Sequence, residues 1–161
     1  MTAPRPSGWA AGVYRHGDFE VSTEHARLDH AVIQAALADT YWARDVDPKQ
    51  VMESIANALP FGLYHMAAGA ECGQLVGFAR LVTDKTRFAW ISDVFVRDGY
   101  KGQGCGTLLM RALLSYPPLE NVYNWTLATK DAHGFYEQFG FRRATGTDAT
   151  MQLRRPKNPA A

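Results

Sequence analysis

The sequence predicts one α/β (α+β) domain built on a central mixed, mostly antiparallel sheet of six to seven strands, with about four helices on its two faces. Three observations carry this. Two amphipathic helical patterns precede a meander of three strand-like runs. The last run, Phe88 to Val96, passes through a glycine-rich loop directly into another helical pattern. A chain of 161 residues is enough for a single core.

Residues 1–17 hold Pro4, Pro6, Gly8, Gly12 and Gly17 without periodicity and read as a flexible N-terminal arm, from which Trp9 and Tyr14 can dock. The single domain then spans 18–155, and 156–161 read as a disordered tail. Phe19 to Thr23 alternates apolar with polar residues, as an edge strand does. Asp29 is placed as an N-cap, with Leu28 and Ile33 at staple positions and Val32, Ile33, Ala36 and Leu37 forming the buried stripe. Asp47-Pro48 opens a second helix whose apolar face is Val51, Met52, Ile55, Ala56 and Leu59.

Phe61 to Met66 and Leu75 to Val82 form a hairpin around Glu71-Cys72-Gly73, and Phe88 to Val96 completes the meander. Its almost unbroken apolar run is that of a strand covered on both faces. Beyond the loop, Cys105, Leu108, Leu109, Ala112 and Leu113 share one helical face. Val122 to Ala128 is another strand. Asp131 is placed to cap a short helix in which Phe135 and Phe139 turn inward and Gly140 stops the helix. Two closing strands, Phe141 to Ala144 and Met151 to Arg154, are expected around the turn Thr145 to Asp148.

Composition narrows the function. With 47% hydrophobic and 20% charged residues the chain is globular, and a formal net charge of +1 gives no reason to expect nucleic acid as partner. No apolar run has the length of a membrane helix, and the N-terminus lacks the apolar core of a signal peptide, so a cytoplasmic protein without membrane association is expected. Cys72 and Cys105 stand far apart and without metal-ligand spacing, which points to reduced thiols and no metal. Cys105 lies on the apolar helical face, which favours core packing over nucleophilic use.

Lys101-Gly102-Gln103-Gly104-Cys105-Gly106-Thr107 sits where a helix begins, and there the first amide N–H groups lack helical partners and favour a phosphate. No Lys-Ser or Lys-Thr pair follows the last glycine, so the loop is not that of a nucleoside triphosphatase. The G-x-G-x-G spacing is not the dinucleotide fingerprint either.

This segment resembles motif A of the GNAT superfamily of acyl-CoA-dependent N-acyltransferases, with Lys101 at the Arg or Gln position, then Gly104 and Gly106. The stretch from Ala132 to Phe141 is similar to that family's motif B, an aromatic-Tyr-Glu helix running into Gly-Phe, and the resemblance covers roughly residues 19 to 155. It implies a GNAT-like fold whose sheet splays beside the glycine-loop strand, with acetyl-CoA as cosubstrate. Backbone groups of Val94, Phe95 and Val96 would then meet the pantetheine arm, and Lys101 through Thr107 the pyrophosphate. Thr129 stands where the family often places a coenzyme-binding Asn. Tyr136 becomes the proton donor to the coenzyme A thiolate, against an alternative in which it only packs in the core.

Acyl transfer to an amine needs the amine uncharged, and a primary amine with a pKa near ~10.4 is almost wholly protonated at neutral pH. Asp93 interrupts an otherwise apolar strand, so its carboxylate needs a partner or a polar cavity. It is a candidate base or amine-positioning group, or else an ion-pair partner of Arg80. His133, near a helix start, is read as a surface residue. Tyr41, Trp42 and Arg44 lie between the first two helices, where GNAT folds wall the acceptor site; Phe61, Tyr64, Arg80 and Trp90 are further candidates. Aromatics with two arginines suggest a small-molecule amine that carries a carboxylate or phosphate, against an equal alternative of an aromatic core with solvated arginines. A peptide N-terminus or lysine, or a non-catalytic module that binds and senses acetyl-CoA, are the alternatives, and a homodimer is compatible with all of them.

Overall fold

The computed structural model describes residues 8–67, 71–145 and 151–154. Seven strands form one sheet in sequence order: β1 (Trp9–Ala10), β2 (Val13–His16), β3 (Phe19–Ser22), β4 (Leu59–His65), β5 (Gln74–Thr83), β6 (Phe88–Val96) and β7 (Asn124–Leu127). Every neighbouring pair is antiparallel except β6 and β7. These last two are parallel because a crossover through α3 (Cys105–Leu114) returns the chain to the same end of the sheet. The other helices are α1 (His30–Ala38), α2 (Pro48–Ala56) and α4 (His133–Glu137).

The sheet divides two apolar clusters. Phe61, Leu81, Ile91, Leu109 and Leu113 belong to one, on the α3 side, and Ile33, Leu37, Ile55 and Phe78 to the other, beneath α1 and α2. The caps read from the sequence set the first two helices. Asp29 Oδ1 accepts from the Val32 N–H at 3.1 Å, and Asp47 Oδ1 from the Lys49 N–H at 2.7 Å. Leu28 and Ile33 share one buried cluster, as the staple requires.

Four expectations are corrected. The first concerns the arm: residues 9–16 are not loose, because β1 and β2 extend the sheet as a hairpin. The Trp9 indole N–H donates to the Ala112 carbonyl at 2.8 Å and its ring packs on Tyr14, Phe61 and Tyr116, so buried contacts hold the hairpin. The second follows: β3 lies between β2 and β4 and is not an edge. The third concerns β6. Ala89 and Ile91 are buried, but Phe88 and Trp90 stay exposed, so the first half of the strand is covered on one face only. Lastly, residues 141–145 and 151–154 form no strand, and Met151 and Leu153 are exposed. The rest of the expected closing turn, residues 1–7 of the arm and the tail at 156–161 lie outside the described residues. No helix among the described residues is long and apolar enough to cross a membrane.

Candidate active site

β6 pairs with β7 only as far as Ile91 opposite Leu127, then runs on to Val96 with that edge open. On its other side the register with β5 slips. Phe78 faces Phe95 and Arg80 faces Ser92, so Ala79 stands opposite both Asp93 and Val94. This is a β-bulge, and bulges re-aim side chains. Asp93 carries the strain with φ of +54°, a conformation that Asp tolerates better than most residues.

The Asp93 carboxylate is only 8% exposed. Its Oδ2 accepts from Arg80 Nε at 2.7 Å, and its Oδ1 from the Trp42 indole N–H at 3.1 Å. Arg80 also donates through Nη2 to Ser92 Oγ at 3.1 Å. The ion pair expected from the sequence is therefore present. It does not saturate the carboxylate, because each oxygen has a second lone pair.

Two clefts meet beside this bulge. One, of about 460 Å³, is walled by Tyr41, Trp42, Trp90 and Asp93 on one side and by residues 129–132 and Tyr136 on the other. The second, of about 1030 Å³, runs between α1 and the open half of β6, Val94, Phe95 and Val96, and reaches Lys101 and Gly106. Trp42, Val94, Ala132 and Tyr136 line both. Beyond the second cleft, a hollow of about 290 Å³ lies before α3, lined by Lys101, Gly102, Gly104, Cys105, Gly106 and Thr107 among others.

The glycine loop builds this hollow. Gly104 is the N-cap of α3 at φ +80° and Gly102 has φ +77°, and a Cβ at either would meet nothing within 4 Å. The first bond across the cap runs from the Leu108 N–H to the Gly104 carbonyl at 2.9 Å, so the amides before Leu108 face forward without helical acceptors. Gly106 serves close approach instead, because an added Cβ would lie 3.3 Å from Phe135 Cζ. The Lys101 ammonium pairs with Asp98 at 2.8 Å, and the Gln103 side chain donates to the Gly99 carbonyl at 3.0 Å, away from the hollow. Cys105 is buried, which pushes its thiol pKa up and disfavours a reactive thiolate.

Tyr136 is half-buried on α4. Burial raises its phenol pKa above the usual value, and the nearby Tyr41 and Asp131 push the same way, so the hydroxyl keeps its proton at neutral pH. Asp131 does not cap α4. The N-cap is Ala132, whose N–H donates to Thr129 Oγ1 at 3.1 Å, which uses one lone pair of the Thr129 hydroxyl and leaves its O–H free to donate. Phe135 and Phe139 pack against the core as expected.

Of the expected acceptor residues, Tyr41, Trp42, Trp90 and Asp93 do come together. Phe61 and Tyr64 do not, being buried in the two cores. Arg80 lines neither cleft, and Arg44 is exposed and pairs with Asp45 at 3.8 Å. Sequence reasoning missed Ala31 and Ala35 on α1 and Asp39 and Thr40 just past its end, which line the second cleft, and Lys130 in the first. Small and polar residues on the unburied face of a helix or beyond its end carry no periodic signal, so nothing in the sequence marked them. Among the described residues, no cluster of three His, Cys, Asp or Glu could hold a metal.

A strand edge left open by its neighbour, ending in a hollow of forward-facing amides at a helix start, fits an extended ligand with a diphosphate end. A family model of the acetyltransferase (GNAT) domain matches residues 62–143, from β4 through α4. The chain belongs to the GNAT acetyltransferases. A solved structure from Xanthomonas campestris pv. campestris, assigned to the GNAT family, is 34% identical with a TM-score of 0.78 and covers 88% of this chain and 96% of its own. A Gibberella zeae protein assigned as an acetyltransferase is 28% identical over 156 residues, spanning 86% of this chain and 84% of that one. The glucosamine-6-phosphate N-acetyltransferase of Arabidopsis thaliana, at 15% identity and a TM-score of 0.59 over 87% of this chain and 99% of that one, shares the fold. This GNAT protein is thus an acyltransferase, and acetyl-CoA is the donor its family generally uses.

Proposed function

We propose that the protein moves an acetyl group from acetyl-CoA to the primary amine of a small molecule by direct attack. Asp93 positions the amine or takes its proton, and Tyr136 protonates the departing thiolate. The observation that carries this reading is the set of residues common to both clefts, Trp42, Val94, Ala132 and Tyr136. A donor lying along the open half of β6 and an acceptor in the aromatic cleft would meet there and nowhere else in the site.

The coenzyme, when bound, supplies the thioester and a thiol leaving group. Peptide groups of Val94, Phe95 and Val96 offer hydrogen bonds to its amide-bearing arm, and the amides from Gly102 to Thr107 receive the diphosphate. Asp93 has a free lone pair on each oxygen for the incoming amine, and general-base help of this kind is worth ~10²–10⁴ in rate. Tyr136 stays protonated because it is desolvated, and so it has a proton to give. The open cleft suits a small soluble amine as acceptor.

The test is thiol release from acetyl-CoA on adding amines, read beside the melting curve. Coenzyme A at a hundredfold excess over its dissociation constant is expected to stabilise the fold by ~2.7 kcal/mol. Tyr136→Phe should slow thiol release while keeping that stabilisation; an unchanged rate removes Tyr136 from the mechanism. Stabilisation without release for any amine would identify a coenzyme-sensing module instead.

A further inference from the structure

The acceptor cleft has an unusual balance of groups. Tyr41, Trp42 and Trp90 line it from two separate parts of the chain and stay 42%, 37% and 37% exposed, although burial of such rings is strongly favoured. Tyr41 and Trp42 stand edge to face at 4.9 Å, which leaves ring surface turned outward. The charged residues of the lining are Asp93, Asp131 and Lys130, two acids against one base. The Lys130 ammonium lies 5.5 Å over the Tyr41 ring, and its backbone N–H donates to the Tyr41 hydroxyl at 3.1 Å.

The arginines that suggested an acidic substituent are absent from the cleft. Arg80 is held by Asp93 and Ser92 and lines no part of it. Arg44 points elsewhere, beside Asp45. A carboxylate or phosphate on the acceptor would enter beside the buried, anionic Asp93, and among the described residues the lining offers it no guanidinium, only the Lys130 ammonium held over the Tyr41 ring.

We infer that the acceptor is an arylalkylamine, a primary amine on an aromatic body with no carboxylate or phosphate, its ammonium directed to Asp93 and its ring laid against Trp42, Tyr41 and Trp90. This rests on the acetyltransferase reading above and narrows it. The ammonium finds the acid at the bulge and the aromatic walls take the rest. Trp90 then sets specificity without touching the reacting atoms, because it stands three residues before Asp93 on the half of β6 that still pairs with β7.

The experiment compares thiol release from acetyl-CoA with four named amines: 2-phenylethylamine, L-phenylalanine, 2-aminoethanol and glucosamine 6-phosphate. Expected is a kcat/KM for 2-phenylethylamine above that for L-phenylalanine by roughly thirtyfold or more, because the added carboxylate must be desolvated close to Asp93 with no guanidinium in the described lining, while Lys130 is drawn over the Tyr41 ring. Trp90→Ala should lower the ratio of kcat/KM for 2-phenylethylamine over 2-aminoethanol by roughly tenfold, and Trp90→Phe should restore most of it. Folding of both variants is checked by retention of the coenzyme A melting shift. Equal or better use of L-phenylalanine or glucosamine 6-phosphate, or a ratio unmoved by Trp90→Ala, overturns the inference and leaves the acetyltransferase reading standing. Release with none of the four overturns the inference, whereas the acetyltransferase reading falls only if no other amine gives release either.

Discussion

Two carboxylates are buried in this sheet, Glu20 on β3 and Asp93 on β6, and each is paired with arginine. Glu20 is 4% exposed, lies between Arg15, at 2.8 Å, and Arg27, and lines neither cleft. Asp93 has one arginine and one indole, a left-handed backbone and a cleft in front of it. Each Glu20 oxygen accepts from one guanidinium, from β2 and from the 3-10 turn His25–Arg27, and neither cleft reaches it, whereas Asp93 holds its two partners and still faces open volume. A buried ion pair therefore becomes a candidate reaction group through its backbone and its surroundings, not through being buried.

The largest expected effect breaks or upholds that contrast. Asp93→Asn should lower kcat/KM by ~10²–10⁴ and cost stability of the order expected for Glu20→Gln, because Arg80 loses its carboxylate while Asn still accepts the left-handed backbone. Higher pH should restore part of the rate by freeing the amine. A collapse of folding at every pH would make Asp93 a second Glu20. Glu20→Gln should cost about 2 kcal/mol of stability in chemical denaturation and leave kcat/KM unchanged.

A smaller effect sharpens the same comparison through pH. Burial alone would raise the Glu20 pKa, but the hydrogen bonds from Arg27 and Arg15 outweigh it and hold it below its usual value of 4.5. The unfolded chain then takes up the proton first as pH falls. The stabilisation is full above the usual value and is lost as pH drops through the lower folded one. The gap in melting temperature between the wild type and Glu20→Gln should close on acidification, and a gap that persists in acid would mean that the ionised carboxylate is not what stabilises.

The smallest effect concerns Tyr64, the cross-strand partner of Glu20. Its hydroxyl is buried with no partner among the described residues, and burial pushes its pKa up to about 12. Arg27 lies 4.2 Å over its ring. Tyr64→Phe keeps that ring and deletes the unpaired oxygen, so a gain of about 1 kcal/mol is expected, readable as a raised denaturation midpoint.

The parts of the molecule legible in the sequence were those written in repeated local pattern. Asp29 and Asp47 announced their helices, and the step from Val96 through three glycines to Leu113 gave strand, hollow and helix. The N-terminal hairpin was not legible, because strands of two and four residues show no period and their turns, at Gly12 and Gly17, look like breakers. The alternation of Met151 and Leu153 misled in the opposite sense, promising a strand where both side chains are exposed. In the site, Asp93 stood out as an acid in an apolar run. The bulge that turns it could not be read, since it arises from register with β5. Arg80 was found as its partner but not as a group withdrawn from the cleft, a matter of direction that composition does not encode.

Gly106 has a mechanical meaning that reaches past the loop it belongs to. An added methyl there would stand 3.3 Å from Phe135 and 4.0 Å from Val96, and the Phe135 ring is itself 5.0 Å from that of Tyr136. The first turn of α3 thus works as a shim of fixed thickness, against which α4 is seated and the phenol is aimed. Widening that shim by one carbon would tilt the Tyr136 phenol without altering a single atom of either cleft wall opposite it.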